Sequence, residues 1–244
     1  MRQKNIPILM YHSIGSIKKN EGLRSLHVPA WLFHTHMLIL RLLGYKGLSI
    51  NELLPYLSGE KEGKVVGITF DDGFENVYKN ALPILSKFKF SSCCFLVSGN
   101  IGGSNFWDIE KGYLPQKMMS KTQVSTWINS GMEVGSHTVN HKKLTEIKSD
   151  NELIDEIIKS KTDLEKQFNC EVNNFCYPYG AFNSEISKVV ENASYKSAVT
   201  VRRGIANSKS DLFSLPRIFI THRTYPLIFL FKLLTSYEEK RRKS

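Results

Sequence analysis

No apolar run in this chain of 244 residues approaches the roughly 20 residues that cross a bilayer, so no membrane-spanning helix is expected. Cysteine is scarce. Cys93, Cys94, Cys170 and Cys176 form no C-x-x-C pair, and the first two lie in an apolar run where small buried thiols are common. A Cys170–Cys176 metal or disulfide pair is conceivable, but nothing beside it completes a cysteine-rich zinc site, and reduced structural thiols are the preferred reading. Nor is a secretory leader expected. Met1 to Asn5 is basic, yet the apolar stretch Ile6 to Tyr11 is short, holds Pro7 and runs into His12, so the expected location is cytoplasmic. Acid is outnumbered, with 23 Asp and Glu against 33 Lys and Arg, a net charge of +10. That excess suits nucleic acid, anionic membrane or acidic glycan, but no nucleic-acid recognition motif accompanies it and no nucleic-acid partner is expected.

Four of the ten net charges are Lys240, Arg241, Arg242 and Lys243, directly after the most hydrophobic stretch, Tyr225 to Leu234. Residues 225–244 are therefore set apart from a main domain at 1–224. They read either as a last helix packed on that domain with a solvated tail, or as an interfacial anchor in peripheral contact with the inner membrane surface. At 41% hydrophobic and 23% charged residues, the chain has the makings of a sizeable core and is not a disordered one.

Short β-like runs alternate with helix-period segments, which predicts an α/β fold on parallel strands. Strands are expected at Ile6 to Tyr11, Lys64 to Phe70, Phe90 to Val97, Met132 to Val134, Phe175 to Tyr177, Lys196 to Val201 and Arg217 to Thr221. Between them, Phe33, Met37 and Leu40 mark a helix closed by Gly44, and Ser49 with Glu52 forms a capping box. Further helices are expected from Glu75 to Phe88, bent at Pro83, from Gln123 to Ile128, along Leu153 to Phe168 capped by Asp150, and from Asn183 to Asn192. Gly99 to Gly112, with Phe106 and Trp107, reads as a long loop over one face. No linker or repeat appears, so a single domain is favoured.

Three polar clusters fall where strands end, the face on which parallel α/β folds assemble their sites. The first is Thr69-Phe70-Asp71-Asp72-Gly73. Adjacent carboxylates disfavour joint ionisation unless a cation compensates, and a divalent metal on one leaves the other free as a base. A plain helix N-terminus suits the same residues equally well. The second cluster runs from Gly135 to His141, and a helical turn there would put His137 and His141 on one side. With a carboxylate they make a facial set of two histidines and one carboxylate. In the third, Cys176-Tyr177-Pro178-Tyr179-Gly180, the turn can present a backbone N–H to an oxyanion and its tyrosines can flank a sugar.

With these residues the sequence resembles the polysaccharide deacetylase family, carbohydrate esterase family four, over nearly its whole length. Thr69 to Gly73 and His137 to His141 match two family motifs. Ile8 to His12, Gly44-Tyr45 and Leu215 to Ile218 look like the branch acting on poly-N-acetylglucosamine-type glycans. The resemblance implies a distorted, TIM-like (β/α) barrel of about seven strands. It implies a divalent metal, Zn²⁺ or else Co²⁺, Ni²⁺ or Fe²⁺, on Asp72, His137 and His141, with Asp71 as general base and the Tyr179 N–H as oxyanion donor. Tyr177, Pro178 and Trp107 would contact substrate. The general acid is His12 by the branch's pattern or His222 by that of the family at large. The family's motif-three arginine is replaced by Cys176, and Arg217 is a plausible substitute to orient Asp71. His27, His34 and His36 have no motif context. The implied activity is removal of N-acetyl groups from a sugar in a glycan or a lipid- or nucleotide-linked precursor; the alternative is a non-catalytic glycan-binding or membrane-surface protein.

Overall fold

A computed structural model of the chain describes residues 5–16 and 23–242. Strand β1 (Ile8–Tyr11) leads through the short pair β2 (Ser13–Ile14) and β3 (His27–Val28) to helix α1 (Ala30–Leu42). There follow β4 (Lys46–Leu48), α2 (Ile50–Ser58), β5 (Val65–Phe70), α3 (Leu82–Phe88), β6 (Cys93–Leu96), α4 (Lys121–Asn129) and β7 (Glu133–Ser136). Helices α5 (Asp150–Ile154) and α6 (Ser160–Phe168), β8 (Asn174–Cys176), α7 (Ser184–Asn192), β9 (Ser197–Arg203), β10 (Leu215–Phe219), α8 (Pro226–Leu234) and α9 (Tyr237–Arg242) complete the chain.

Seven parallel strands close into a barrel in the order β1-β10-β9-β8-β7-β6-β5, with β5 returning to pair with β1. Side chains alternate along these strands, as the pleat requires. Ile8, Val65, Cys93, Phe95, Cys176, Val199 and Leu215 form one buried cluster, while Leu9, Val66, Ile68, Cys94, Phe175, Ala198 and Ile218 belong to the larger core shared with the helices. This arrangement is the distorted TIM-like barrel that the sequence implies.

The distortion has a local cause. Strand β4 pairs with the first half of β5, and the Ser91 N–H just before β6 donates to the Gly47 carbonyl. This three-residue strand, like β2 and β3, was too short to register in the hydrophobic pattern. Other departures are equally local. A π-helical turn, Val77–Ala81, lies ahead of α3, and Pro83 sits in the first turn of α3, where a missing N–H costs little. Another, Asp155–Lys159, joins α5 to α6, and the cap of that long helix is Ser149, whose hydroxyl accepts the Glu152 N–H, with Asp150 already helical. The Ser49–Glu52 capping box is present.

At the other end of the chain, α8 buries Phe229 and Leu233. Phe229 stacks on His36 of α1 with ring centroids 4.2 Å apart. Lys232 turns inward, donating to the Phe219 carbonyl at 2.8 Å and pairing with Glu238, which is also bound by Arg203 at 2.7 Å. Lys243 of the basic tail lies outside the described residues. All four cysteines are free thiols. No helix among the described residues is long and apolar enough to cross a membrane.

Candidate active site

The two adjacent carboxylates leave β5 at the C-terminal end of the barrel. The Asp71 N–H still belongs to the strand, donating to the Tyr11 carbonyl at 3.0 Å. Asp72 and Gly73 then take consecutive left-handed conformations, with φ of 73° and 87°. This sharp reversal sends the neighbouring carboxylates in different directions, and a Cβ on Gly73 would lie 2.6 Å from Leu96 Cδ2.

Asp71 points into the barrel, where Arg217 binds it with both arms: Nη1 to Oδ1 and Nη2 to Oδ2, each at 2.7 Å. Arg217 is fully buried. Its remaining donors reach Thr69 Oγ1 at 3.0 Å, the Thr200 carbonyl at 2.9 Å and Cys176 Sγ at 3.3 Å. Burial pushes the Asp71 carboxyl up, but the guanidinium, helped by His12 and His137, outweighs it and holds the group below its ordinary value. Asp71 is therefore an anion fixed in one orientation.

Asp72 faces the second cluster. His137 Nε2 lies 3.4 Å and His141 Nε2 3.2 Å from its Oδ1. His137 Nδ1 lies 2.7 Å from the Cys176 carbonyl and donates to it, which turns Nε2 toward Asp72, where its lone pair would be the one offered to a metal ion. The segment between the histidines is not helical. Thr138 and His141 have φ of 66° and 57°, and this irregular turn, not an i, i+4 helical face, brings the two rings together. Glu156 holds the turn, accepting the Val139 and Asn140 N–H groups at 3.0 and 2.9 Å and the Asn140 amide at 2.7 Å. It is 3% exposed, an acid on the buried face of the helix beside Ile157, and that misplacement was its only sequence signal.

Asp72, His137 and His141 form a buried group able to hold a divalent metal ion, all ligand atoms lying within 4.8 Å of one another. Burial raises the Asp72 carboxyl, but the two imidazoles outweigh it and keep the group well below its ordinary range, hence anionic. A second grouping, Asp71, His137 and Cys176, meets the same distance limit. It fits a metal less well, because Arg217 already occupies both Asp71 oxygens and burial pushes the Cys176 thiol up, keeping it protonated.

A cavity of about 130 Å³ opens over these groups. His12, at the end of β1, enters it with Nε2 3.8 Å from Asp71 Oδ2, and its buried Nδ1 has no partner among the described residues. His222 does not line this cavity; its backbone N–H reaches the Ser25 carbonyl. Trp107 stacks on His141, centroids 4.3 Å apart. Tyr179, 44% exposed and left-handed at φ 58°, sets its ring edge-on to the same imidazole at 4.8 Å. Tyr177 is fully buried, donating its hydroxyl to the Phe213 carbonyl at 3.0 Å and stacking on Phe182, and Pro178 is buried in the turn. Tyr177 and Tyr179 line the cavity whereas Pro178 does not, so of the three residues expected to contact substrate Pro178 only shapes the turn, and it is Tyr179 that presents an aromatic face. Lys111, which no motif singled out, lies 4.9 Å over the Tyr179 ring and pairs with Asp108 at 2.9 Å. A larger cavity of about 680 Å³, among Asn51, Glu171, Lys196 and Leu212, contains none of these groups. A group able to hold a cation, a fixed carboxylate and an adjacent imidazole make the smaller one the candidate hydrolytic site.

Comparison with known proteins agrees. A family model described as polysaccharide deacetylase matches residues 58–198, a span that includes Asp71, Asp72, His137 and His141 but not His12 or Arg217. The chain is 30% identical over 218 residues to YxkH of Bacillus subtilis (strain 168), whose name places it among the polysaccharide deacetylases, covering 88% of this chain and 71% of that one. It is 29% identical over 207 residues to the poly-β-1,6-N-acetyl-D-glucosamine N-deacetylase of Staphylococcus aureus (strain N315), covering 80% and 67%. Among solved structures, the Streptococcus pyogenes deacetylase PplD in complex with acetate superposes with a TM-score of 0.80 at 30% identity, over 94% of this chain and 98% of that one. A polysaccharide deacetylase from Bacillus cereus gives 0.81 at 25%, over 95% and 69%. The chain belongs to the polysaccharide deacetylase family.

Proposed function

We propose that this chain is a metal-dependent N-deacetylase that hydrolyses the acetamide of an N-acetylated sugar in a glycan or glycan precursor. The observation that carries the reading is the pairing of a buried two-histidine, one-carboxylate group with a neighbouring carboxylate locked by Arg217. The relative named for poly-β-1,6-N-acetyl-D-glucosamine makes that class of glycan the first to test. Asp72, His137 and His141 would hold the ion, for which Zn²⁺ is the first choice by ligand type. When bound, the ion supplies Lewis-acid polarisation of the acyl oxygen and an acidified water.

Asp71 takes the proton of the attacking water, and Arg217 keeps it anionic and aimed. Within the Pro178–Gly180 turn the Gly180 and Ala181 N–H groups are occupied, whereas that of Tyr179 is left to donate to the developing oxyanion. His12 hands a proton to the departing amine; its place in the cavity beside Asp71 supports it over His222. The non-catalytic alternative drew on the loss of the family arginine at Cys176 and on the basic tail; the Arg217–Asp71 pair speaks against the first of these grounds.

Acetate release from β-1,6-linked N-acetylglucosamine oligomers with added Zn²⁺ or Co²⁺ tests the proposal. Asp71→Asn is expected to lose about 10²–10⁴-fold in kcat with metal retained, and His137→Ala to lose the metal. His12→Ala should lose at least about 10²-fold in kcat with metal and KM kept, against a change within about twofold for His222→Ala. Undiminished acetate release by Asp71→Asn would sink the mechanism, and the reverse ranking of the two histidines would reassign the acid.

A further inference from the structure

Helices α1 and α8 lie side by side on the flank of the barrel, joined by the His36–Phe229 stack and by a hydrogen bond from His36 Nε2 to the Thr224 carbonyl at 2.7 Å. Each turns a second apolar face away from the core. On α1, Trp31, Leu38 and Leu42 share one helical side opposite the buried Phe33, Met37 and Leu40. On α8, Leu227, Phe231 and Leu234 oppose the buried Phe229 and Leu233. The six outward side chains are between 39% and 76% exposed. Neighbouring large apolar residues in this number exceed the scatter of a monomer surface and mark a contact site.

The helices cannot rotate to hide these faces. Phe229 is clamped on His36, and Lys232, the one cation within α8, is drawn inward to the Phe219 carbonyl and Glu238. Charge identifies the occupant. Neither helix contains an Asp or Glu, and the fully exposed charges on and beside them are cationic: Arg41 near the end of α1, Arg223 ahead of α8, and Lys240 and Arg241 on α9, against one half-buried acid, Glu239. A second copy docked face to face would oppose like charges, whereas anionic headgroups would take them up. Trp31 and Tyr225, amphipathic aromatics suited to a membrane interface, stand at the starts of the two helices.

We infer that the α1–α8 flank docks on an anionic lipid surface, with its apolar side chains in the headgroup boundary and its arginines on the phosphates. Both helices start at the C-terminal end of the strands, the end of the barrel at which the metal-binding cavity opens. A substrate attached to that surface would meet the site without leaving it. The docking does not depend on the reaction and is measured apart from it.

Co-flotation of the full chain with phosphatidylcholine vesicles, with and without about one-third phosphatidylglycerol, is the test. Binding to the anionic vesicles, weakening at high salt, is expected, with little to phosphatidylcholine alone. The combined substitution Trp31→Ser, Leu227→Ser and Phe231→Ser should lower partitioning on the order of 100-fold at unchanged Tm. Arg41→Gln with Arg223→Gln, at exposed positions that keep the test readable if the apolar variant unfolds, should lower it roughly tenfold or more. No flotation with either vesicle, or flotation untouched by both variants, would overturn the inference. So would a dimer in sedimentation velocity that the apolar variant abolishes in a chain that binds no vesicles, since the face would then serve self-association.

Discussion

Arg217 is fully buried, a state that costs several kcal/mol unless every donor is met. Its donors are met by Asp71, Thr69, Thr200 and Cys176, so a single residue of β10 ties together the inward faces of β5, β8 and β9. His36 shows the opposite solution, a buried imidazole kept neutral. Its Nδ1 accepts from the Tyr11 hydroxyl at 3.0 Å while Nε2–H donates to Thr224. Burial, only partly opposed by the Thr224 bond, lowers its pKa from 6.5 to about 4. The unfolded chain therefore binds the extra proton between those values, and stability rises with pH across that window. His36 contributes fully above about pH 6.5 and loses on the order of 3 kcal/mol as the pH falls to 4. Urea denaturation from pH 7 to 4 should show the gap between the native chain and His36→Gln closing; a gap independent of pH would disprove the assignment.

At the scale of elements, the site is a set of strand ends followed by turns that no regular structure would permit. Tyr179 and Gly180 are successive left-handed residues, at φ 58° and 68°, and a Cβ on Gly180 would stand 2.3 Å from Val201 Cγ2. Gly180→Ala is expected to cost about 1–3 kcal/mol in denaturant unfolding. It should lower kcat more than metal affinity, because the turn it strains carries the Tyr179 N–H. Equal losses in both would detach this turn from the reaction.

The same turns explain what could be read in advance. Asp71, Asp72, His137 and His141 were legible because short-range motifs contain them, and the buried strands because β5 and β6 are continuous apolar runs. Arg217 lies in the Leu215 to Ile218 stretch that resembles the branch, but its pairing with Asp71 was inferred from the absence of an arginine at Cys176, since the two partners are 146 positions apart. Glu156, Lys111 and Asp108 carry no motif at all, and their roles arise only from tertiary placement. The turn that makes Thr138 and His141 left-handed was equally invisible, because threonine does not advertise a positive φ and histidine, though enriched there, does so too weakly to mark one position. Strand β4 escaped notice because three residues give too little alternation to count.

For the whole molecule, a metal ion bound by β5 and the β7 turn stabilises whatever folded state presents its ligands. At a free concentration of about 100 times Kd the gain is about 2.7 kcal/mol. In a chain of this size that is a Tm shift of roughly 5–11 °C. Adding a chelator should remove that shift in the native chain and leave the Tm of Asp72→Asn unmoved, as read by circular dichroism. A shift persisting in the variant would place the stabilising ion elsewhere.

The pairing of β1 with both β10 and β5 has one more consequence. Asp71, His12 and Arg217 come from β5 and from the first and last strands of the barrel, and they adjoin only once β1 has found its two neighbours. While a ribosome is still making the chain, Asp71, Asp72, His137 and His141 all emerge before Arg217, which Asp71 needs as its partner. Hydrolysis is therefore expected only once residue 217 has emerged and the ring is shut, so activity regained during refolding should keep time with that final step.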